Sequence, residues 1–426
     1  MNHATPVRFY TNSDPAAPSV AAGLWQHLPP PAPALKISVI IPAKDEAEQL
    51  PATLAALAVQ LDLQGQPLSY GQYEVLVLAN NCHDQTAATV RSFASRHPGM
   101  ALYIAETTLP SAEAHVGKAR RLLMDEACRR LELTAGPAGI IASTDADTRV
   151  AATWLAAMLA EFEAGADAVG GRILPDAAFS QGCTVRRTHL HDTLYRLLRT
   201  RLEALLDPEP ADPWPRHHQH FGASLALTVA AYRQVGGLPV VPFLEDEALY
   251  QALRRHDLQL RHSPQVRVST SARYEGRVAV GLSWQLREWA SLAQQQREPL
   301  VESGAGLVAE WKTRQQLRHL WSQLQDSGRQ QRLPLCLQLA AALSVPAPAL
   351  SRQLAAAASF GALWEWVQQH RARWRRKRLV PLPKAIAELR QLVSRHEIGL
   401  TTRQPSLASG QQIEPVLFGP VAVQVL

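Results

Sequence analysis

The stretch Ile140-Ile-Ala-Ser-Thr-Asp-Ala-Asp-Thr148 decides how the rest of the chain is read. Its first three residues are apolar and read as a buried strand, and the run ends in two carboxylates one residue apart, Asp145 and Asp147. Successive side chains on an extended segment alternate faces, which would put both acids on one side. Two carboxylates so placed repel each other unless a cation lies between them. The carboxyl edge of an open α/β sheet is also where ligands collect. The competing interpretation of Asp-x-Asp is a solvated turn with an Asx cap, and the surrounding sequence decides between the two.

Upstream, Ile37 to Pro42 (ISVIIP) reads as a buried strand stopped by proline. An amphipathic helix follows, with Leu50, Leu54, Leu57, Ala58 and Leu61 along one stripe. Tyr73 to Ala79 reads as a second buried strand ending at Asn80-Asn81, and Thr86 to Arg96 as its helix. A strand at Ala101–Ala105 and a basic helix from Lys118 to Arg130 lead to the Asp pair. Beyond it, Trp154, Leu155, Met158, Leu159 and Phe162 mark another helix, closed near Gly165. This alternation predicts an α/β fold with a mostly parallel sheet flanked by helices. From about Gly281, Gln, Arg, Leu and Trp dominate and helical stripes replace strand signals. The expected organisation is a flexible Pro/Ala-rich leader (1–35), an α/β domain (36–285), a helical C-terminal region (286–400) and an irregular tail (401–426).

The chain has 426 residues, 46% apolar and 19% charged, enough for two domains with a sizeable core. A formal charge of +6 suits anionic substrates or an anionic membrane surface and does not by itself indicate nucleic acid. Four scattered cysteines (Cys82, Cys128, Cys183, Cys336) form no CxxC pair, which fits a reducing compartment. Leu333 to Leu350, the longest apolar candidate, is interrupted by Pro334, Gln338, Pro346 and Pro348, short of the roughly 18 apolar residues a span needs. A cytoplasmic protein is expected, at most peripheral at the inner face of a membrane. The basic run from His370 to Arg378 holds six fixed positive charges in nine residues. It reads either as the solvated face of a helix bundle or as an element for anionic headgroups. The run His217-His218-Gln219-His220 reads as a polar loop rather than a closed zinc site, with one of its histidines, or His262, as the alternative that would complete a metal shell.

The order of these elements and their tips resembles the family-2-type nucleotide-sugar glycosyltransferases over roughly residues 36–280. Pro42-Ala-Lys-Asp-Glu46 is similar to the family's Pro-x-x-Asn-Glu, with Asp45 in place of Asn. Asn80-Asn81-Cys82-His83-Asp84-Gln85-Thr86 stands where the family has an acidic strand end followed by Asp-x-Thr. Gly117-Lys118, Asp145-Ala-Asp147, the segment Gly222-Ala-Ser-Leu-Ala-Leu227 with Tyr232 and Gly236-Gly237, and Glu245-Asp246 follow in the family's order. The departures are Asn80 in place of the acid and the missing Gln-x-x-Arg-Trp element of processive synthases, which argues against long-chain polymerisation.

The resemblance implies a GT-A fold and a metal-dependent, inverting, hexosyl-type transfer of one sugar. The partners would be a nucleoside diphosphate sugar and a sugar, small-molecule or lipid-linked acceptor. Asp145 and Asp147 would hold Mg²⁺ or Mn²⁺, ions that take hard oxygen ligands, with Asp145 also reaching the donor. Pro42, Glu46, Asn80, Asn81, Asp84, Lys118, Arg273 and Arg277 would line the donor pocket. Gly222, Ser224 and Glu245 would face the acceptor. Asp246 would be the general base that takes the acceptor's proton. Capping and first-turn charge explain Glu46, Asp84 and the Glu245–Glu247 acids equally well in local terms. The rivals are a retaining synthase of a small glycoside, a nucleotidyltransferase, and a non-catalytic nucleotide-sugar-binding module. Pro42-Ala-Lys-Asp-Glu46 lacks the Gly-rich phosphate loop that a nucleotidyltransferase would carry.

Overall fold

The computed structural model describes residues 23–175, 183–270, 282–326, 333–374 and 378–401. Arg273, Arg277, most of the expected leader and the tail from residue 402 lie outside the described residues, as do the side chains of residues 371–377.

Strands β1 (Ile37–Ala43), β2 (Tyr73–Asn80), β3 (Leu102–Thr107) and β4 (Ile140–Ser143) are parallel, in the order β3-β2-β1-β4. Helices α1 (Leu50–Ala58), α2 (Thr86–Arg96) and α3 (Val116–Glu132) are the crossovers between them. Alternation assigns their side chains. Ile37, Val39 and Ile41 join one core with Leu50, Leu54 and Leu57 of α1 and Val90 and Phe93 of α2. Ile40, Leu76 and Leu78 join a second core with Leu122, Leu123 and Leu131 of α3. Pro42 is tolerated so close to the middle of the sheet because of its place. The Thr144 N–H donates to the Ile40 carbonyl, so even-numbered β1 residues face β4, and Pro42 lies one step past the last pair, Ile40 with Ser143.

The sheet continues through β7 (Leu225–Thr228), β6 (Ala168–Pro175), β8 (Leu260–Thr270) and β5 (Thr148–Val150). β4 and β6 run antiparallel to β7, β8 is parallel to β6, and β5 is antiparallel to β8. Helix α4 (Trp154–Glu163) covers the first core, with Trp154 fully buried. The α/β class is as expected. Two segments were not anticipated: the long α5 (Cys183–Leu206) and the short α6 (Val229–Gln234). Helix α7 (Glu245–Arg255) packs Leu249 and Leu253 into the second core.

Helices α8 (Leu282–Gln294), α9 (Gly304–Asp326), α10 (Leu333–Leu343), α11 (Ala347–Ala356), α12 (Phe360–Trp374) and α13 (Leu382–Thr401) make the expected helical C-terminal region. It also contains two three-residue strands, β9 (Leu300–Glu302) and β10 (Leu379–Pro381), paired antiparallel. Trp364 of α12 is buried in a core with Leu317, Leu343 and Leu350, as a bundle face requires. No helix among the described residues is long and apolar enough to cross a membrane.

The leader expected to be flexible is corrected for its last residues. Trp25 and Leu35 are 3% and 2% exposed and join the second core, and the Pro29 carbonyl accepts a bond from Arg130 Nη1 at 3.0 Å. Prolines and alanines hid a segment that two large side chains anchor.

Candidate functional site

β4 stops at Ser143, two residues before the acids expected on it. Asp145 and Asp147 belong to a turn in which the Thr148 N–H donates to the Asp145 carbonyl at 3.1 Å. Strand alternation is therefore not what groups them. The turn is pinned from α1, whose Thr53 hydroxyl donates to the Ala146 carbonyl at 2.9 Å. Asp145 nevertheless feels both Asp147 and Asp246. Desolvation pushes its carboxyl up to about 6 over the opposing pull of Arg120, and the like charges of Asp147 and Asp246 add to the rise.

Arg120, on α3, organises the site and was not singled out by the sequence reading. Its guanidinium is 4% exposed, donates to Asp145 Oδ1 at 2.6 Å, and donates through Nη1 to Glu245 Oε1. Glu245 is itself buried, with Asp246 beside it at the start of α7. Gly222 leaves room for the guanidinium, since a Cβ there would lie 2.5 Å from Arg120 Cζ. Gly117 plays the same part at the start of α3, where a Cβ would run into the Val241 carbonyl. The available signal was positional: Arg120 shares a stripe with Leu123, Met124, Ala127 and Leu131, and a charge on an apolar stripe needs a partner.

Asp246 is half-buried, and both its oxygens are held by backbone: Oδ2 accepts from Gly222 N–H at 2.9 Å, and Oδ1 from Glu247 N–H at 2.8 Å. Leu244, just before α7, has φ 58°, a left-handed conformation that costs a branched residue about 1 kcal/mol and sets the turn into the Glu245–Glu247 acids. Phe221, Val240, Phe243 and Leu244 flank these residues in the chain and are 36–48% exposed.

The other expected residues separate by what they hold. Ser224 is fully buried and its hydroxyl accepts the Trp154 indole N–H at 3.0 Å, so it faces the interior and not an acceptor. The Asn81 amide makes two bonds to the Leu109 backbone. Asp84 accepts from the N–H groups of Thr86 at 2.9 Å and Ala47 at 3.0 Å, a loop-stitching role. The Glu46 N–H donates to the Thr86 hydroxyl at 2.8 Å. Asn80, 4% exposed, is the last residue of β2, and Pro42 lies in β1. Lys118 Nζ pairs with Glu113 at 3.3 Å. Asp45, Cys82 and Asp84 offer ligand atoms within 4.8 Å of one another, yet Asp45 and Asp84 spend oxygens on neighbouring backbone N–H groups.

The donor set suits a hard divalent cation. Asp145 feels the charges of both Asp147 and Asp246, and Glu245 shares Arg120 with it, which gathers four carboxylates in one neighbourhood. All of their ligand atoms are oxygen, as Mg²⁺ or Mn²⁺ requires.

Residues 38–215 match the model of glycosyl transferase family 2, which bears out the family-2-type resemblance and, with the sheet described above, the GT-A reading. A comparison with curated proteins finds no match. Among solved structures, the chain is similar to the mannosyltransferase PcManGT from Pyrobaculum calidifontis in complex with GDP-Man and Mn²⁺. The identity is 18%, the match covers 89% of this chain and 92% of that one, and the TM-score is 0.39. It is also similar to S. aureus TarS 1–349 in complex with UDP-GlcNAc, at 13% identity over 86% of this chain and 92% of that one, TM-score 0.41. A third, GalNAc-T7 with UDP, GalNAc and Mn²⁺, is 14% identical over 70% of this chain and 53% of that one, TM-score 0.38.

Proposed function

We propose, with the glycosyl transferase family 2 match over residues 38–215 as premise, that this chain moves a sugar from a nucleoside diphosphate sugar to an acceptor hydroxyl. The observation that supports the reading is Asp145, just past the carboxyl end of β4, held with Glu245 by Arg120 and within reach of the charges of Asp147 and Asp246. Asp145 and Asp147 would hold Mg²⁺ or Mn²⁺, which when bound supplies Lewis-acid stabilisation of the departing diphosphate.

The protein's own residues do the rest. Arg120 keeps Asp145 and Glu245 in place before the donor arrives. Asp246, with one lone pair on each oxygen engaged by backbone, keeps a further lone pair to accept the acceptor's proton as its oxygen attacks the anomeric carbon. Attack from the face opposite the diphosphate inverts that carbon. The exposed Phe221, Val240, Phe243 and Leu244 favour an acceptor with an apolar portion, such as a lipid-linked one.

The metal role is tested by calorimetric titration of nucleotide sugars with and without Mn²⁺. Asp147→Ala should abolish the metal-dependent part of donor affinity and leave the circular dichroism spectrum unchanged. Donor affinity that is the same in the variant, with Mn²⁺ present, would refute it.

A further inference from the structure

Behind Asp246 runs a line of four ionisable groups that the proposed reaction does not use. Asp212 Oδ2 meets His262 Nδ1 at 2.7 Å, His262 Nε2 faces His220 Nδ1 at 3.4 Å, and His220 Nε2 meets Glu247 Oε2 at 2.9 Å. Asp212 is 3% exposed, and its two oxygens also accept from the His262 N–H, Arg261 and Arg216. It is an acceptor throughout, so His262 carries its hydrogen on Nδ1. At the other end the Glu247 carboxylate accepts in turn, so His220 carries a hydrogen on Nε2.

We propose that His220 is the positioning residue of Asp246, working through its hydrogen bond to Glu247. The ring of His220 ties down Glu247, whose N–H binds Asp246 Oδ1, and two residues along its own chain Gly222 supplies the N–H to Oδ2. One side chain thereby braces both donors to the candidate base. His220 is itself fixed by stacking on Tyr250, with centroids 3.8 Å apart. The neighbouring Gln219 is fixed by two side-chain bonds to Ile173 and by a close backbone approach to Gly170.

Burial lowers the His262 pKa although Asp212 pulls the other way, which keeps that ring neutral. Desolvation would raise Glu247, but the bond and charge of His220 hold it below its usual range. The groups facing the line are Tyr250 and Asp246 from α7, Arg199 from α5, Arg261 from β8, and His217, His218 and Arg216 from its own segment, with Arg172 acting on His217 and Arg196 on His218.

The positioning role rests on Asp246 being the base, a premise that Asp246→Asn tests separately, so the His220 variants are measured with Asp246 intact. His220→Phe retains the stacking on Tyr250 but neither hydrogen bond, and should lower kcat about tenfold with donor affinity unchanged. His220→Gln, which donates to Glu247 without titrating, should restore most of the loss. Wild-type kcat in His220→Phe, or no rescue by Gln, would overturn the positioning role.

Discussion

Arg120 and Gly222 form a pair in which each explains the other. A buried guanidinium gripping two carboxylates needs a flat floor, and only glycine provides it here. Gly222→Ala should therefore push Arg120 off Asp145 and Glu245, lowering stability by about 1–3 kcal/mol and donor turnover at least tenfold. Thermal melts and a transfer assay check this, and a variant with wild-type turnover would contradict it. Asp145 feels the charges of Asp147 and Asp246, and the sequence singled out all three as candidates. It misplaced Ser224, which serves Trp154. Asn81 and Asp84 are likewise spent largely on backbone. Small polar residues that grip ligands are also those that cap helices and close turns, and residue type alone does not separate the two uses.

At the scale of elements, a second buried charge network ties the helical C-terminal region to the α/β part. Arg314 of α9 donates to Asp207 and, at 2.7 Å, to Glu203 of α5, and Arg318 joins at Asp207. Arg254 of α7 reaches Glu209 at 2.9 Å. Asp207 is 1% exposed, so removing one partner strands a charge. Arg314→Met should cost about 3–5 kcal/mol, read from the urea midpoint, and adding Asp207→Asn should recover part of it. A loss below about 1 kcal/mol would mean that Arg318 alone suffices. Elements with strong periodicity were legible in advance: the expected helix Thr86–Arg96 forms with those bounds. α5 was not, because in CTVRRTHLHDTLYRLLRTRLEALL charges interrupt the stripe that Tyr195, Leu202 and Leu206 complete only against α9 and α13. The strands β9 and β10 are three residues each, too short to show a period.

For the molecule as a whole, two cores sandwich one sheet, and its carboxyl edge gathers the acids at 145, 147 and 246 while the C-terminal helices pack elsewhere. The α/β class followed from alternating periods. The order and the mixed pairing of the half from β7 to β5 did not, since pairing direction is set by contacts far apart in sequence. The central claim is that Asp246 takes the acceptor's proton at this edge. The most direct measurement is single-turnover transfer by Asp246→Asn, with donor affinity measured on the same protein. Asparagine keeps the size and an oxygen acceptor but cannot take up a proton. The account predicts donor affinity within a few-fold of wild type and transfer slower by a factor on the order of 10² or more. Transfer at near the wild-type rate, with donor bound normally, would contradict it.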